Sequence, residues 1–299
     1  MNMGKKMSDE TLLLELTKSL KENDVLKQQI NQLNDSVREL SQKLNESESL
    51  KSHFISNISN ELINPFTSIL AISENILSVE KENWKKVIHM VSLIHTEVFN
   101  LDFQLKNIFA AARIEAGEIT PEITLINIDK LIENLINTFK YEARRKHLTI
   151  HYKSENANAN TTPYFKSDAE KIYLIVSNLL SNAIKFSFQE GEIHIKVRKE
   201  TNKLHLTVRD FGQGISKTNE QIIYDRFKRL DNGINSINRG HGLGLSIIKA
   251  LTDMLEGKIY FTSELGKGTS FHLELKESED ETSGISTDAD ETYFKEEVF

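Results

Sequence analysis

The chain has 299 residues, 38% of them hydrophobic, with no cysteine and a formal net charge of −7. That composition excludes disulfides and thiolate metal sites and argues against nucleic-acid binding. No stretch approaches the roughly 20 apolar residues that span a bilayer, and no apolar segment follows Met1–Lys6 to form a secretory signal. A cytoplasmic chain with no membrane span and about two domains is therefore expected.

In chain order, Leu26, Ile30, Leu33, Val37, Leu40 and Leu44 alternate spacings of four and three, and Leu12 and Leu16 fit the same register backwards. Such a narrow seam predicts a parallel dimeric coiled coil over residues 1–50, with Asn23 on a core position fixing register. A single amphipathic helix packed on its own chain is the plainer alternative. No Gly or Pro interrupts residues 8–64. Pro65 then falls inside the apolar run of Leu62, Phe66, Ile69, Ile72 and Ile76, where it should kink the helix and free a carbonyl near Glu61. A break near Ser78–Glu82 leads to a second helix with Trp84, Val87, Ile88, Val91, Ile94, Val98, Leu101, Leu105 and Ile108 on its stripe, and Gly117 suits its C-cap. Residues 51–120 thus read as a helical hairpin. Two hairpins make a four-helix bundle, so a homodimer is expected through the coiled coil and the hairpin.

After Pro121 the pattern changes. Ile126–Arg145 reads as a helix, Leu148–Lys153 as a strand, Asn156–Thr162 as a polar loop and Ala169–Phe188 as a helix. Glu192–Lys199 and Lys203–Arg209 form a hairpin, Gly242–Leu255 a helix, and Lys258–Ser263 and Thr269–Leu275 a pair of strands. Without regular βαβ alternation, residues 121–276 predict a layered α/β sandwich, not a doubly wound fold. The whole chain is then multidomain, all-α followed by α/β. The acidic, Ser- and Thr-rich stretch 277–299 reads as a disordered tail.

Three motifs in this half point to one chemistry. Asn178, Asn182 and Lys185 share a helical face; amide oxygens are hard ligands suited to Mg²⁺, and a lysine can meet phosphate charge. Asp210-Phe211-Gly212-Gln213-Gly214 follows a strand, where a carboxylate can accept from an adenine amino group and glycines let backbone approach a flat base. Gly240-His241-Gly242-Leu243-Gly244 opens a helix and offers a cradle of N–H groups to an anion. Alone, each has a plainer reading: a polar helix face, an ordinary turn, a chance Gly run.

In this order, with Gly266-Lys267-Gly268-Thr269 and with Tyr224-Asp225-Arg226-Phe227-Lys228-Arg229 between them, the motifs resemble the Asn, glycine and phenylalanine boxes of the histidine-kinase branch of the Bergerat-type ATPases. The resemblance runs almost continuously over residues 51–276. It implies ATP and Mg²⁺ as cofactors, with Asn182 on the metal, Asp210 with Gly212 and Gly214 at adenine, and Lys185 at phosphate. Arg226 and Arg229 are phosphate candidates or solvated loop charges. Phe227 to Gly240 would be an ATP lid, and Gly240, Gly242, Leu243, Gly244, Asn178 and Thr269 complete the implied set. Hydrolytic branches of the superfamily carry a glutamate where this chain has Asn178, so a kinase with an external acceptor fits better than an ATP hydrolase.

The same family implies a phosphoacceptor. Residues 54–69 resemble its acceptor box, with Ser59-Asn60-Glu61-Leu62 in place of Ser-His-Glu-Leu and Pro65 in register. Asn60 stands where the histidine belongs. A carboxamide nitrogen is no nucleophile, because its lone pair is delocalised into the carbonyl, so autophosphorylation at this position is expected to be lost and Glu61 has no imidazole to orient. Three readings stay open. The chain is an ATP-responsive scaffold; or another histidine accepts the phosphoryl group; or the bundle acts as a response-regulator phosphatase, with Asn64 orienting water. His53 lies one heptad before residue 60, about 10.5 Å along the axis. That is far for a transfer that needs contact within roughly 3–3.5 Å, and His89 and His95 read as packing or surface residues. Asn60 as a natural loss and as a deliberate substitution are both open. The partner implied by the family is the receiver domain of a response regulator.

Overall fold

The computed structural model describes residues 9–79, 83–156, 164–220, 223, 243–280 and 285–286. Helix α1 spans Asp9–Leu77 and passes through Pro65 without ending there. Through residue 56 it belongs to one unit of the chain, and from Asn57 everything belongs to a second. In the first unit Leu16, Leu26, Ile30, Leu33, Val37, Leu40 and Leu44 are all more than half exposed, so the heptad seam lies bare along one helix.

In the second unit α1 finishes at the expected break, where Ser78 and Val79 donate to the carbonyls of Asn75 and Ile76. Helix α2 (Trp84–Ala116) ends on Gly117, whose φ of 68° is left-handed; the last carbonyls of the helix, those of Arg113 and Ile114, are satisfied there. The first half of α2 leaves Trp84 and Ile88 exposed, whereas Leu101, Asn107 and Ala110 in its second half are buried. Phe99 and Phe103 meet the ring of Phe139 edge-on, with centroids 5.3 and 5.7 Å away, and His95 lies against Tyr141. The C-terminal half of α2 is therefore part of the α/β core. No helix among the described residues is long and apolar enough to cross a membrane.

The expected helix 126–145 is divided. Strand β1 (Thr124–Asn127) precedes α3 (Ile128–Thr138) and the short α4 (Lys140–Arg145). Asn127 causes the switch: its side chain accepts from the N–H of Lys130 and caps α3. There follow β2 (Thr149–Asn156), β3 (Tyr164–Ser167), α5 (Ala169–Phe186), β4 (Glu192–Glu200), β5 (Lys203–Asp210), α6 (Gly244–Met254), β6 (Lys258–Glu264), β7 (Gly268–Lys276) and β8 (Ile285–Ser286). The mixed five-stranded sheet has the order β2-β4-β5-β7-β6, and β3-β1-β8 forms a small second sheet.

Alternation sets the layers. Ile193, Ile195 and Val197 on β4, Leu204, Leu206 and Val208 on β5, and Phe271, Leu273 and Leu275 on β7 are buried. Their register pairs Ile195 with Val208, Val197 with Leu206, Leu206 with Leu273 and Val208 with Phe271, so one sheet face is continuously apolar. Ile172, Ile175, Val176, Leu179 and Leu180 of α5, with Ile247, Ile248 and Leu251 of α6, complete that core. Asp168 caps α5 through the N–H of Lys171 and also accepts from the N–H of Glu122. The ordered fold also passes the expected boundary at Glu277: the Ser278 N–H donates to the Lys166 carbonyl, and Ile285–Ser286 pairs parallel with β1, in a stretch expected to be disordered.

Candidate functional site

The inward alternation of β5 runs Leu204, Leu206, Val208 and then Asp210, opposite Ile193. The same periodicity that builds the core thus delivers one carboxylate to the helix-covered face at the strand end. Asp210 is buried. Its Oδ1 accepts from the N–H of Gly212 at 3.0 Å and of Thr269 at 3.2 Å. Burial nevertheless pushes its pKa up, the two backbone donors and Arg209 opposing that rise.

Glycines shape the loop that follows. A Cβ on Gly212 would lie 1.9 Å from the Phe186 carbonyl oxygen, and one on Gly268 2.1 Å from that of Asp210. The close approaches are thus to the protein's own backbone. They tie the Asp210 loop to the end of α5, where Ser187 bridges Gly212 and the Gln213 N–H donates to Phe186. On its other side the loop is held by the β6–β7 hairpin: the Gly266 N–H donates to the Gln213 carbonyl, and the Ile215 N–H donates to the Ser263 hydroxyl at 2.7 Å. Ser263 also lies 2.9 Å from the Thr269 hydroxyl.

Helix α5 therefore brings its C-terminal end to the Asp210 loop. Asn182 and Lys185 are half-buried there, with the Lys185 ammonium 5.1 Å from the centre of the Phe186 ring. Asn178 is set apart from them. It is buried, and its Nδ2 donates to Oδ1 of Asn107 on α2 at 2.6 Å and to the Leu174 carbonyl at 2.9 Å. A Cβ on Gly244 at the start of α6 would lie 2.8 Å from its Oδ1. Asn178 is therefore a junction of α2, α5 and α6. Leu243 is buried and immediately precedes α6. Arg226, Phe227, Arg229, Gly240 and Gly242 lie outside the described residues, as do the side chains of His53, Asn60 and Glu61. Asn64 is exposed, next to a buried Pro65.

Two contributors escaped the sequence reading. Asn107 sits on a second stripe of α2, Phe103-Asn107-Ala110-Ile114, at spacings of four and three that a single-stripe reading passes over. Lys146 donates from Nζ to the carbonyls of Ile184 and Lys185, satisfying the C-terminus of α5 beside the loop. Burial, then the neighbouring Arg145, lowers its pKa. Its place at the end of the basic run Arg144-Arg145-Lys146 gives no hint of that contact.

Residues 167–279 match the family model described as histidine kinase-, DNA gyrase B- and HSP90-like ATPase. The β4-β5-β7 sheet with α5 and α6 is thus an ATPase domain of that class. Over 233 residues the chain is 26% identical to the circadian input-output histidine kinase CikA of Synechococcus elongatus, which covers 76% of this chain and 30% of that protein. It is 28% identical over 229 residues to the sensor protein RprX of Bacteroides fragilis, covering 76% of this chain and 43% of that protein. Full-length ShkA in complex with AMPPNP shares the fold, with a TM-score of 0.51 and 20% identity, covering 74% of this chain and 44% of that one. Together these matches make the chain similar to sensor histidine kinases over about three quarters of its length. The chain spans less than half the length of either curated relative.

Proposed function

We propose that this chain is a two-component sensor histidine kinase homologue that binds Mg-ATP and has lost autophosphorylation at residue 60. The buried Asp210 carboxylate carries the nucleotide part of this reading. One of its oxygens is engaged by backbone donors, and its pKa is raised by desolvation. An adenine amino group donating to it relieves part of that desolvation cost. ShkA, which shares the fold, was solved with an ATP analogue.

The donors present suit the implied cofactors. Asn182 supplies a hard carboxamide oxygen of the kind Mg²⁺ accepts, and Lys185 supplies a cation on the same helix. Magnesium, when bound, offsets phosphate charge, and Thr269 adjoins Asp210 through its N–H. With Asn178 where hydrolytic relatives carry glutamate, no carboxylate from that position serves as a base for water. Asn60 offers no ring nitrogen to take a phosphoryl group, and Glu61 keeps only a charge there. The bare heptad seam supports a homodimer through α1; the hairpin 51–120 as a second contact and a response-regulator receiver domain as the partner follow from the family resemblance.

Calorimetry with Mg-ATP tests the nucleotide part. A single saturable site is expected on the unmodified chain, weakened at least about 100-fold by Asp210→Ala, since charged hydrogen bonds are worth roughly 1.5–3 kcal/mol and the buried partners are stranded as well. Asn182→Ala should remove the magnesium dependence. Absence of binding heat in the unmodified chain would refute the proposal. A second reading, phosphatase action on a receiver domain, is supported by the exposure of Asn64. Loss of phosphate from the receiver domain should then fall with Asn64→Ala, and an unchanged rate removes that role.

A further inference from the structure

We propose that His151, Glu192 and His194 form a site for one divalent transition-metal ion of the zinc, cobalt or nickel type on the outer face of the five-stranded sheet. Strands β2 and β4 run parallel in a register that pairs His151 with His194 and Thr149 with Glu192. Because Ile193 points into the core, its two neighbours on β4 point outward together, beside His151. Nε2 of His194 lies 2.9 Å from Oε2 of Glu192, and Nε2 of His151 lies 3.7 Å from the same oxygen. One ligand atom from each residue falls within 4.8 Å of the others. Ligand atoms around tetrahedral zinc stand about 3.3 Å apart, as bonds of roughly 2.0–2.1 Å require. The two imidazole–carboxylate spacings lie either side of that value, and the side chains are exposed enough for their torsions to make the adjustment.

Donor chemistry selects the ion. Two imidazoles and a carboxylate suit zinc, cobalt or nickel and leave a position for water, whereas Mg²⁺ prefers an all-oxygen shell. The edge-to-face contact of the two rings, with centroids 5.1 Å apart, holds both near the shared oxygen. Nearby cations are diverted or set back. Arg209, paired across from His194, lays its guanidinium over the Phe211 ring at 4.5 Å, and Lys153 and Lys196 form the next outward pair along the strands. The site is separate from the Mg-ATP reading and stands or falls without it.

The test is Zn²⁺ titration of the full chain by calorimetry, with millimolar Mg²⁺ present. One equivalent is expected to bind. His151→Ala and His194→Ala should each weaken binding roughly 100-fold, and Glu192→Gln about 10-fold, as loss of one of three ligands implies. His205→Ala, on β5 beside Glu200 and Glu274, should change nothing. On the unmodified chain, Co²⁺ should broaden the imidazole NMR signals of His151 and His194 and spare that of His205, a readout independent of variant folding. Zinc binding that survives the double variant His151→Ala/His194→Ala, no saturable binding, or cobalt broadening of all histidines alike would overturn the proposal.

Discussion

The helical stretch around Leu16–Leu44 and the sheet-bearing region beyond Pro121 treat apolar surface in opposite ways. On the sheet, Ile195, Val208 and Phe271 are matched strand to strand and sealed by α5 and α6, so the region closes its core with its own chain. On α1, Leu26, Leu33 and Leu40 stay more than half exposed although their spacing is as regular as that of the strands. Regular patterning therefore has two outcomes among the described residues: a sealed layer where a second layer of the same chain covers it, and an exposed stripe on α1. The C-terminal half of α2 belongs to the first kind, since Phe99, Phe103 and Asn107 pack into the ATPase domain.

The contrast can be broken from either side. The largest effect is expected from Leu33→Lys with Leu40→Lys, which places four ammonium groups in the seam of a dimer. Association should weaken by about 4 kcal/mol or more, near 1,000-fold, read as a shift from dimer to monomer in light scattering. The melting of the sheet-bearing region should not move. Next is Gly212→Ala, whose methyl group meets the Phe186 carbonyl; a loss of about 3 kcal/mol in urea unfolding is expected, with nucleotide binding lost as the Asp210 loop shifts. Asn107→Leu should cost roughly 1–3 kcal/mol, because it strands one N–H of the buried Asn178 amide, the other being held by the Leu174 carbonyl.

The smallest effect concerns pH. Burial pushes Glu142 on α4 up to about 7, with Arg145 opposing. The folded chain therefore holds this proton more tightly than the unfolded chain, and the stability it contributes is present at acid pH and declines as pH rises from about 4.5 to about 7. Glu142→Gln should flatten that part of the stability–pH curve. An unchanged slope would show that Glu142 is solvated.

Much of this was legible in the sequence because the signals are local. Gly117 ends α2 as its φ demands, and the alternation of Ile193, Ile195 and Val197 gave β4 within one residue. The α/β sandwich followed from the order of such elements. What escaped reading depends on distant partners. Strand β3 exists because β1 pairs with it, and β8 because β1 has a second edge; four- and two-residue strands carry too little pattern to announce themselves. Asp210 was legible as a candidate because it heads an Asp-x-Gly-x-Gly run directly after a strand. The junction role of Asn178 was not, since it depends on Asn107 arriving from another helix. The glycines were found from their motif, but the backbone segments they abut, Phe186 for Gly212, Glu264 for Gly214 and Asp210 for Gly268, are set by tertiary packing.

The most direct test of the central claim is incubation of the chain with γ-labelled ATP and Mg²⁺ beside an Asn60→His variant, followed by assay for acid-labile, base-stable phosphate. The account predicts no phosphohistidine on the unmodified chain and clear labelling of the variant at residue 60. Phosphohistidine forming on the unmodified chain, and vanishing with His53→Ala, would contradict it.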